Sequence, residues 1–220
     1  LFHPMTASLA NERGADRVSL EPGFVAINAS DFDLESTVNC GQVFHWVHEG
    51  SGWLGAIGDE PVYVEQRGTR LIVPASSVGT AVRYFALDHP LAEICASFPD
   101  DQPMRAAAEF CRGLRIIRQP WWECLATFIT SALKQVPHIA QISHTLRRKY
   151  GRRLEWNGRE LFAYPTPDRI ASATEAELRE CRLGFRAKNL LGAARMIAAG
   201  DLDYTKVASL DHADASQIVD

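Results

Sequence analysis

The 220-residue sequence has no long apolar run and no closely spaced cysteines. No window holds about 18 uninterrupted apolar residues, and no charged-then-apolar leader opens the chain, so we expect neither a membrane span nor a secretory signal. The five cysteines are odd in number, far apart and without a CxxC pair. This pattern disfavours a disulfide framework and a zinc site, and it predicts reduced cysteines that lie mostly in the core.

The net charge of −4 is distributed unevenly along the chain. Residues 1–111 contain 6 Lys and Arg against 15 Asp and Glu, whereas residues 112–159 contain 10 against 2. Residues 160–220 return to an acidic balance, with 7 against 10. A basic block inside an acidic chain is typical of a polyanion-binding face, although a solvated helical surface would also explain it.

The hydrophobic spacing changes along the chain and predicts an α+β fold. Residues 1–23 are polar and are expected to form a loose leader. Short β-branched and aromatic runs between Gly and Pro turns predict a domain with a small antiparallel sheet and helices over residues 24–111. Helical spacing predicts an all-helical domain, incomplete at its C-terminal end, over residues 112–220. The main helices expected there cover residues 121–133, 137–150, 174–184 and 187–199.

Three local patterns carry the functional signal: "CGQVFHW" at residues 40–46, "RQPWWECLATFITSALKQVPHIAQI" at 118–142 and "YPTPDRIASATEAELRECRLGFRAKNL" at 164–190. In this order, after an acidic β-rich start, they resemble the 8-oxoguanine DNA glycosylases of the helix-hairpin-helix superfamily. The resemblance covers roughly residues 24–220. It implies base-excision repair by an enzyme that flips an oxidised purine out of duplex DNA and excises it. It also implies lysine Schiff-base lyase chemistry and no metal or organic cofactor.

The glycine of the first pattern has a chemical rationale in this resemblance. N7 of guanine is an acceptor, whereas 8-oxoguanine carries a hydrogen there, so one carbonyl aimed at that atom distinguishes the two bases. The resemblance assigns this carbonyl to Gly41 and places Gln42 and Phe44 in the pocket wall. A glycine allows the backbone to approach a base closely. A glycine needed only for the turn is the alternative.

The resemblance also identifies a wedge in the third pattern. A flipped base leaves a gap in the stack, and an apolar side chain can fill it. This role is assigned to Phe185, where the family usually carries tyrosine, with Arg186 beside the base left unpaired. Lys188 is expected near phosphate in the first turn of the next helix. Alternatively, Phe185 is a hydrophobic contact that closes a helix C-cap.

The second pattern departs from the family at the segment "SALKQVPH". The eukaryotic enzymes carry asparagines here and then an arginine that contacts the orphaned cytosine. This chain has Leu133, Lys134 and Gln135, followed by His138, and these four positions complete the implied DNA-binding set. Lys134 or Gln135 could still fill the gap, but an arginine contact to cytosine is not expected at His138.

The family's catalytic hairpin, of Leu-Pro-Gly-Val-Gly type and followed by a lysine nucleophile and an aspartate, is not found in this sequence. The chain starts at Leu1 and stops at Asp220 within a helical pattern, so we interpret it as a fragment. The resemblance then places the catalytic lysine and aspartate beyond Asp220 and predicts that the chain alone is inactive.

Two other functions remain compatible with the sequence. An alkylated-base glycosylase of the 3-methyladenine type would use aspartate and water without a lysine, and a non-catalytic module would only bind damaged DNA. In all three cases the expected partner is damaged double-stranded DNA, with no membrane, bound by a monomer. The expected location is the nucleoid of a bacterial cytoplasm or a eukaryotic nucleus.

Overall fold

The computed structural model describes residues 20–210 and residue 214. Most of the predicted leader, residues 1–19, lies outside the described residues. So does most of the C-terminal segment that was expected to continue a helix. Within the described part of the chain, no helix combines the length and the apolar character needed to cross a membrane.

A five-stranded antiparallel sheet forms the first half of the fold, in the order β1-β5-β4-β3-β2. Its strands are β1 (Phe24–Asn28), β2 (Val47–Glu49), β3 (Gly52–Ile57), β4 (Glu60–Arg67) and β5 (Arg70–Pro74). Glycines with positive φ at the strand connections, Gly50, Gly58 and Gly68, allow the tight turns that the sequence predicted. The small antiparallel sheet, and with it the α+β class, is therefore confirmed.

Four helices accompany this sheet: α1 (Leu34–Asn39), α2 (Val78–Tyr84), α3 (Leu91–Ala96) and α4 (Gln102–Phe110). Helix α2 buries Ala81 and Tyr84 against the sheet core. Helices α3 and α4, by contrast, bury none of their residues.

The prediction that most cysteines lie in the core is wrong. Cys40, Cys95, Cys111 and Cys124 are exposed, and Cys181 is buried. The physical reason is clearest for Cys95 and Cys111. The first lies on α3 and the second caps α4, and neither of these helices packs a face into the core.

The second half is mainly helical. Its helices are α5 (Trp121–Ser131), α6 (Val136–Tyr150), α7 (Pro167–Ala171), α8 (Glu175–Leu178), α9 (Arg186–Ala199) and α10 (Tyr204–Ala208). A π-helical turn over Arg179–Leu183 follows α8. Thr174 and Glu177 form the reciprocal capping box that their spacing predicts. Apolar faces of α5, α6 and α9 meet in a second core that includes Ile142, Leu146 and Leu190.

One element of this half departs from the all-helical expectation. Strands β6 (Arg153–Trp156) and β7 (Arg159–Phe162) form a hairpin. Its two-residue turn, Asn157-Gly158, has positive φ at both residues, as a type I′ turn requires. Asn-Gly between short apolar runs is a strong hairpin signal, so the sequence did contain the information.

The hairpin joins the two halves of the molecule. Trp156 stacks on Tyr63 of β4, with ring centroids 6.3 Å apart and planes 5° apart. Leu154 and Ala163 pack with Ala56 of β3 in a small buried cluster. This contact fixes the helical half against one face of the sheet.

The segment between α4 and α5 lies against the sheet half. Gly113 O accepts from Asp33 N at 2.8 Å, Arg118 N donates to Tyr84 O at 2.8 Å, and Ile117 belongs to the sheet core. The first unit thus extends past residue 111, to about residue 119. The division into two domains itself stays a prediction.

Candidate nucleic-acid interface

The loop after α1 presents Gly41 with an unoccupied face. Its φ of +91° is strained for any residue with a Cβ, and among the described residues no atom beyond its two chain neighbours lies within 4 Å of where a Cβ would be. The glycine is thus required by its backbone conformation, and the space beside it is open to a ligand. Both interpretations of Gly41 are compatible with this geometry, and its recognition role stays a prediction.

Gln42 fastens this loop to the segment before α5. Its Nε2 donates to Arg115 O at 2.9 Å, and its Oε1 accepts from Ile117 N at 2.9 Å. Gln119 Nε2 in turn donates to the Gln42 carbonyl at 2.9 Å. Phe44 is half-buried on the same loop. Through these hydrogen bonds Gln42 fixes the backbone next to Gly41. This is a structural role beyond the place in the pocket wall that the resemblance implies.

A buried polar cluster connects the loop to the helical half. Glu123, in the first turn of α5, forms an ion pair with Arg147 of α6, and its Oε1 lies 3.5 Å from Nδ1 of His45. All three side chains are 6% exposed or less. Burial, reinforced by the positive charge of Arg147, keeps the pKa of His45 well below 6.5. The loop carrying Gly41 is therefore tied to α5 through a neutral imidazole.

The opposite end of α5 carries the predicted gap-filling segment, about 15 Å along the helix axis. Leu133 is 91% exposed and has a φ of +54°. A left-handed conformation costs free energy for a leucine, and no burial of its side chain compensates. Lys134 is half-buried, while Gln135 and His138 are exposed at the start of α6.

The predicted wedge lies on a turn that only glycine adopts easily. Gly184 has φ 59° and ψ −130°, and Phe185 follows as the N-cap residue of α9. Phe185 is 55% exposed and is not part of the helical core. A contact that closes a C-cap would be buried, so the exposure favours the wedge interpretation, which stays a prediction. Lys188 is exposed in the first turn of α9, where it was expected.

Arg186 does not point outward as the sequence analysis expected. It is 4% exposed. Its Nε donates to Ala132 O at 2.6 Å, its Nη2 also donates to that carbonyl, and its Nη1 donates to Leu183 O at 3.3 Å. The guanidinium lies under the Phe185 ring, with 4.3 Å from Cζ to the ring centroid. Arg186 therefore brings the wedge turn and the α5–α6 turn together, and it is a positioning residue in this conformation.

Most Lys and Arg residues of the basic block, residues 112–159, form salt bridges within the chain. Of its ten Lys and Arg residues, eight form salt bridges. Five of the acidic partners come from the acidic first region: Asp31, Glu49, Asp59, Asp88 and Glu109. Within the described residues, Lys134 and Arg148 have no salt bridge. Most cations of this block therefore have an acidic partner within the chain, and the polyanion-binding interpretation stays a prediction.

Two groups near the candidate interface, one buried and one exposed, were missed by the sequence analysis. Glu123 could have been noticed as a carboxylate inside an apolar helix. Arg182 lies three residues before Phe185, and its Nη1 donates to Gln141 Oε1 of α6 at 3.0 Å. Together with Lys134 and His138 it lines a shallow concavity of about 240 Å³.

Residues 24–125 match the family model of the 8-oxoguanine DNA glycosylase N-terminal domain. An N-glycosylase/DNA lyase of Saccharomyces cerevisiae is 27% identical over 202 residues, which is 82% of this chain and 53% of that protein. A DNA-3-methyladenine glycosylase of Bacillus subtilis is 25% identical over 139 residues, which is 61% of this chain and 45% of that protein. The chain spans about half the length of the curated relatives it matches.

Solved structures agree with this family match. The 8-oxoguanine glycosylase/lyase of Clostridium acetobutylicum, in complex with double-stranded DNA containing cytosine opposite 8-oxoguanine, superimposes with a TM-score of 0.83 at 27% identity. The superposition covers 92% of this chain and 72% of that one. The family model, the relatives and the solved structures agree: residues 24–125 are similar to the N-terminal domain of 8-oxoguanine DNA glycosylases, and the fold of the chain is similar to that of 8-oxoguanine glycosylase/lyases.

Proposed function

We propose that this chain carries the lesion-recognition surface of a base-excision repair glycosylase/lyase that removes 8-oxoguanine from duplex DNA. The main observation behind the proposal is the hydrogen bonding between two strained turns, the α5–α6 turn and the turn before α9. Arg186 hydrogen-bonds the α5–α6 turn to the turn of Phe185, and both turns project an exposed apolar side chain. Such a pair of protruding side chains suits insertion into a base stack.

The wedge and the recognition loop have complementary tasks in this proposal. Phe185 and Leu133 would occupy the space vacated by the flipped nucleotide. The Gly41 carbonyl would accept the N7–H that 8-oxoguanine has and guanine lacks. Because Gln42 fixes this loop through three hydrogen bonds, the carbonyl is held in place before the base arrives.

Excision by the whole protein is also part of the proposal. A lysine amine would attack the anomeric carbon, the oxidised base would leave, and the resulting Schiff base would permit strand cleavage. Such an amine has to lose its proton near neutral pH. Lys149 is unsuited to this role, because its hydrogen bond with Glu180 raises its pKa to about 12.

The proposal is tested by binding titrations with two duplexes, one carrying 8-oxoguanine opposite cytosine and one carrying guanine. Phe185→Ala should weaken lesion binding by about 1–3 kcal/mol, the scale of one base–aromatic stack, and leave binding to the normal duplex nearly unchanged. Phe110→Ala is the matched control, since Phe110 is 91% exposed on α4, far from these turns in sequence. It should change neither affinity.

Three results would argue against the proposal. If Phe185→Ala weakened binding to both duplexes equally, Phe185 would not be a wedge. If it lowered only the melting temperature, Phe185 would be a helix-cap contact. Preference for a 3-methyladenine duplex over 8-oxoguanine would favour the alkylated-base function suggested by the Bacillus subtilis relative.

A further inference from the structure

Two side chains fasten the loop that carries Gly41, and they reach different parts of the molecule. Residues 40–46 form neither helix nor strand, so the direction of the Gly41 carbonyl depends on what holds this loop. Gln42 binds backbone groups of the segment before α5. His45, three residues further on, is buried and lies against Glu123 of α5. His45 therefore fastens the loop to the helical half, which also carries the wedge turn of Phe185.

The carboxylate that faces His45 is itself held by several elements. Glu123 Oε1 accepts from Arg147 Nη2 and lies 3.5 Å from His45 Nδ1. Arg147 Nη1 also donates to the Phe162 carbonyl at the end of β7, at 3.1 Å, and Arg147 Cζ lies 5.2 Å from the centroid of the Tyr164 ring. Neither the carboxylate nor the guanidinium is more than 6% exposed. Glu123 thus offers His45 an acceptor whose position is set by α5, α6 and the hairpin.

The imidazole of His45 is suited to a directional contact. Burial keeps the pKa of His45 well below 6.5, so the ring is neutral and carries one N–H. Because the Glu123 oxygen lies on the Nδ1 side, that N–H belongs on Nδ1, and the contact fixes the orientation of the ring. The next residue, Trp46, is fixed as well, since its Nε1 donates to the Tyr84 hydroxyl at 3.2 Å. The end of the loop is therefore held at two consecutive residues.

Stability alone does not require a buried polar cluster at this place. Apolar side chains of similar volume often give equal or greater stability than a buried ion pair, because both charges must be desolvated. A hydrogen-bonded cluster adds a defined direction for each of its members. This cluster includes a residue of the loop that carries Gly41, so the geometry of that loop is what it can define.

We propose that His45 is a positioning residue for lesion discrimination, and that its contact with Glu123 holds the Gly41 carbonyl where that carbonyl accepts the N7–H of 8-oxoguanine; this rests on the function proposed above. The carbonyl distinguishes the two bases only while it points at N7, because hydrogen bonds weaken steeply as their angle opens. Loss of the His45 contact lets the loop turn and reduces this difference. Affinity for undamaged duplex depends on phosphate contacts and is not affected.

The experiment measures the dissociation constants of the chain for two duplexes, with guanine or 8-oxoguanine opposite cytosine, and takes their ratio as the lesion preference. His45→Leu should lower this preference by about 5- to 100-fold, the scale of one buried hydrogen bond left unmade. A variant that only unfolds in part loses binding to both duplexes in proportion, so a purely structural role leaves the ratio unchanged. His45→Asn places an amide N–H where the Nδ1–H was, so it should retain most of the preference.

Two further variants complete the test. His45→Gln carries its amide one bond further from the backbone than His45→Asn, so it should lose the preference as His45→Leu does. If His45→Leu fails to fold, the comparison of His45→Asn with His45→Gln takes its place. His48→Leu is the matched control: it removes an exposed imidazole from the neighbouring strand β2 and should leave the ratio unchanged.

The outcomes distinguish this inference from the proposed function. If the unmodified chain binds the 8-oxoguanine and guanine duplexes equally, the proposed function fails. If it prefers the lesion but His45→Leu or His45→Gln keeps that preference, only the role of His45 is rejected. The same holds if His45→Asn loses the preference as fully as they do. An equal loss on both duplexes would show that His45 serves stability alone, and it would reject the positioning role too.

Discussion

At the scale of single residues, His45 shows how burial sets a protonation state. Its imidazole lies 3.5 Å from Glu123 of α5, and the charges of Arg147 and His144 on α6 act on it. Burial is the main cause of its lowered pKa, and the charges of Arg147 and His144 act in the same direction. For Glu123 the sign differs, because burial raises its pKa while Arg147 opposes that shift.

The lowered pKa of His45 predicts an acid-sensitive fold. Below about pH 6.5, His45 is protonated in the unfolded chain but stays neutral in the folded chain, because its pKa is lowered there. The free energy of unfolding therefore falls as the pH falls. The loss should approach about 1.4 kcal/mol per pH unit. Chemical denaturation between about pH 7.5 and pH 5 measures it. His45→Gln leaves Glu123 and His144 in place and should flatten this pH dependence. An unchanged slope would show that His45 does not cause it.

At the scale of elements, the interface depends on how two short turns are joined. Helix α5 ends at Ser131, and the following Ala132 carbonyl accepts from Arg186 at the start of α9. The helices that flank these turns pack together in the helical core. The buried guanidinium of Arg186 adds direct hydrogen bonds between the two turns and so helps to set the relative position of Leu133 and Phe185.

Replacement of this guanidinium should uncouple the turns. Arg186→Gln should lower the free energy of unfolding by about 2–4 kcal/mol, since carbonyls that accepted charged hydrogen bonds lose them. Lesion binding should weaken with no change in its salt dependence, because Arg186 does not face phosphate. Denaturation and salt-dependent titrations test both points. Arg195→Gln, an exposed site on the same helix, is the control and should affect neither. A reduced salt slope for Arg186→Gln would instead restore the direct DNA contact expected from sequence.

At the scale of the whole molecule, opposite charges of the two halves pair with each other. Arg152 contacts Asp59 and Arg159 contacts Glu49, which joins the hairpin region to the sheet. These pairs are exposed and contribute little to stability one by one. They nevertheless reduce the number of cations that are available to DNA.

Because most of its cations are paired, the basic block should give a smaller slope of log K against log salt than ten free cations would. Lys134→Ala should reduce the slope of log K against log salt by about 0.9, the value for one phosphate contact. Arg152→Ala and Arg159→Ala should leave it nearly unchanged. Titrations of an undamaged duplex over a range of salt concentrations give these slopes. Equal reductions for all three variants would show that the ion pairs open when DNA binds.

The sequence by itself determined the features that depend on near neighbours in the chain. The capping box of Thr174, the end of α9 at Gly200 and the strands of the sheet follow from local periodicity and turn chemistry. The signal for the β6–β7 hairpin, Asn157-Gly158, was equally local, but the helical pattern on both sides of it led to an all-helical prediction. The ordered motifs also predicted the similarity to 8-oxoguanine DNA glycosylases that the comparisons found.

Only the tertiary structure decided which charged side chains are free. Arg182 and Arg186 lie four residues apart in one motif, yet Arg186 binds a carbonyl 54 residues away, while Arg182 faces solvent beside Gln141. Ion pairs such as Arg159 with Glu49 likewise join residues 110 positions apart. Local patterns cannot specify such partners, because exposure and pairing are set by which elements pack together.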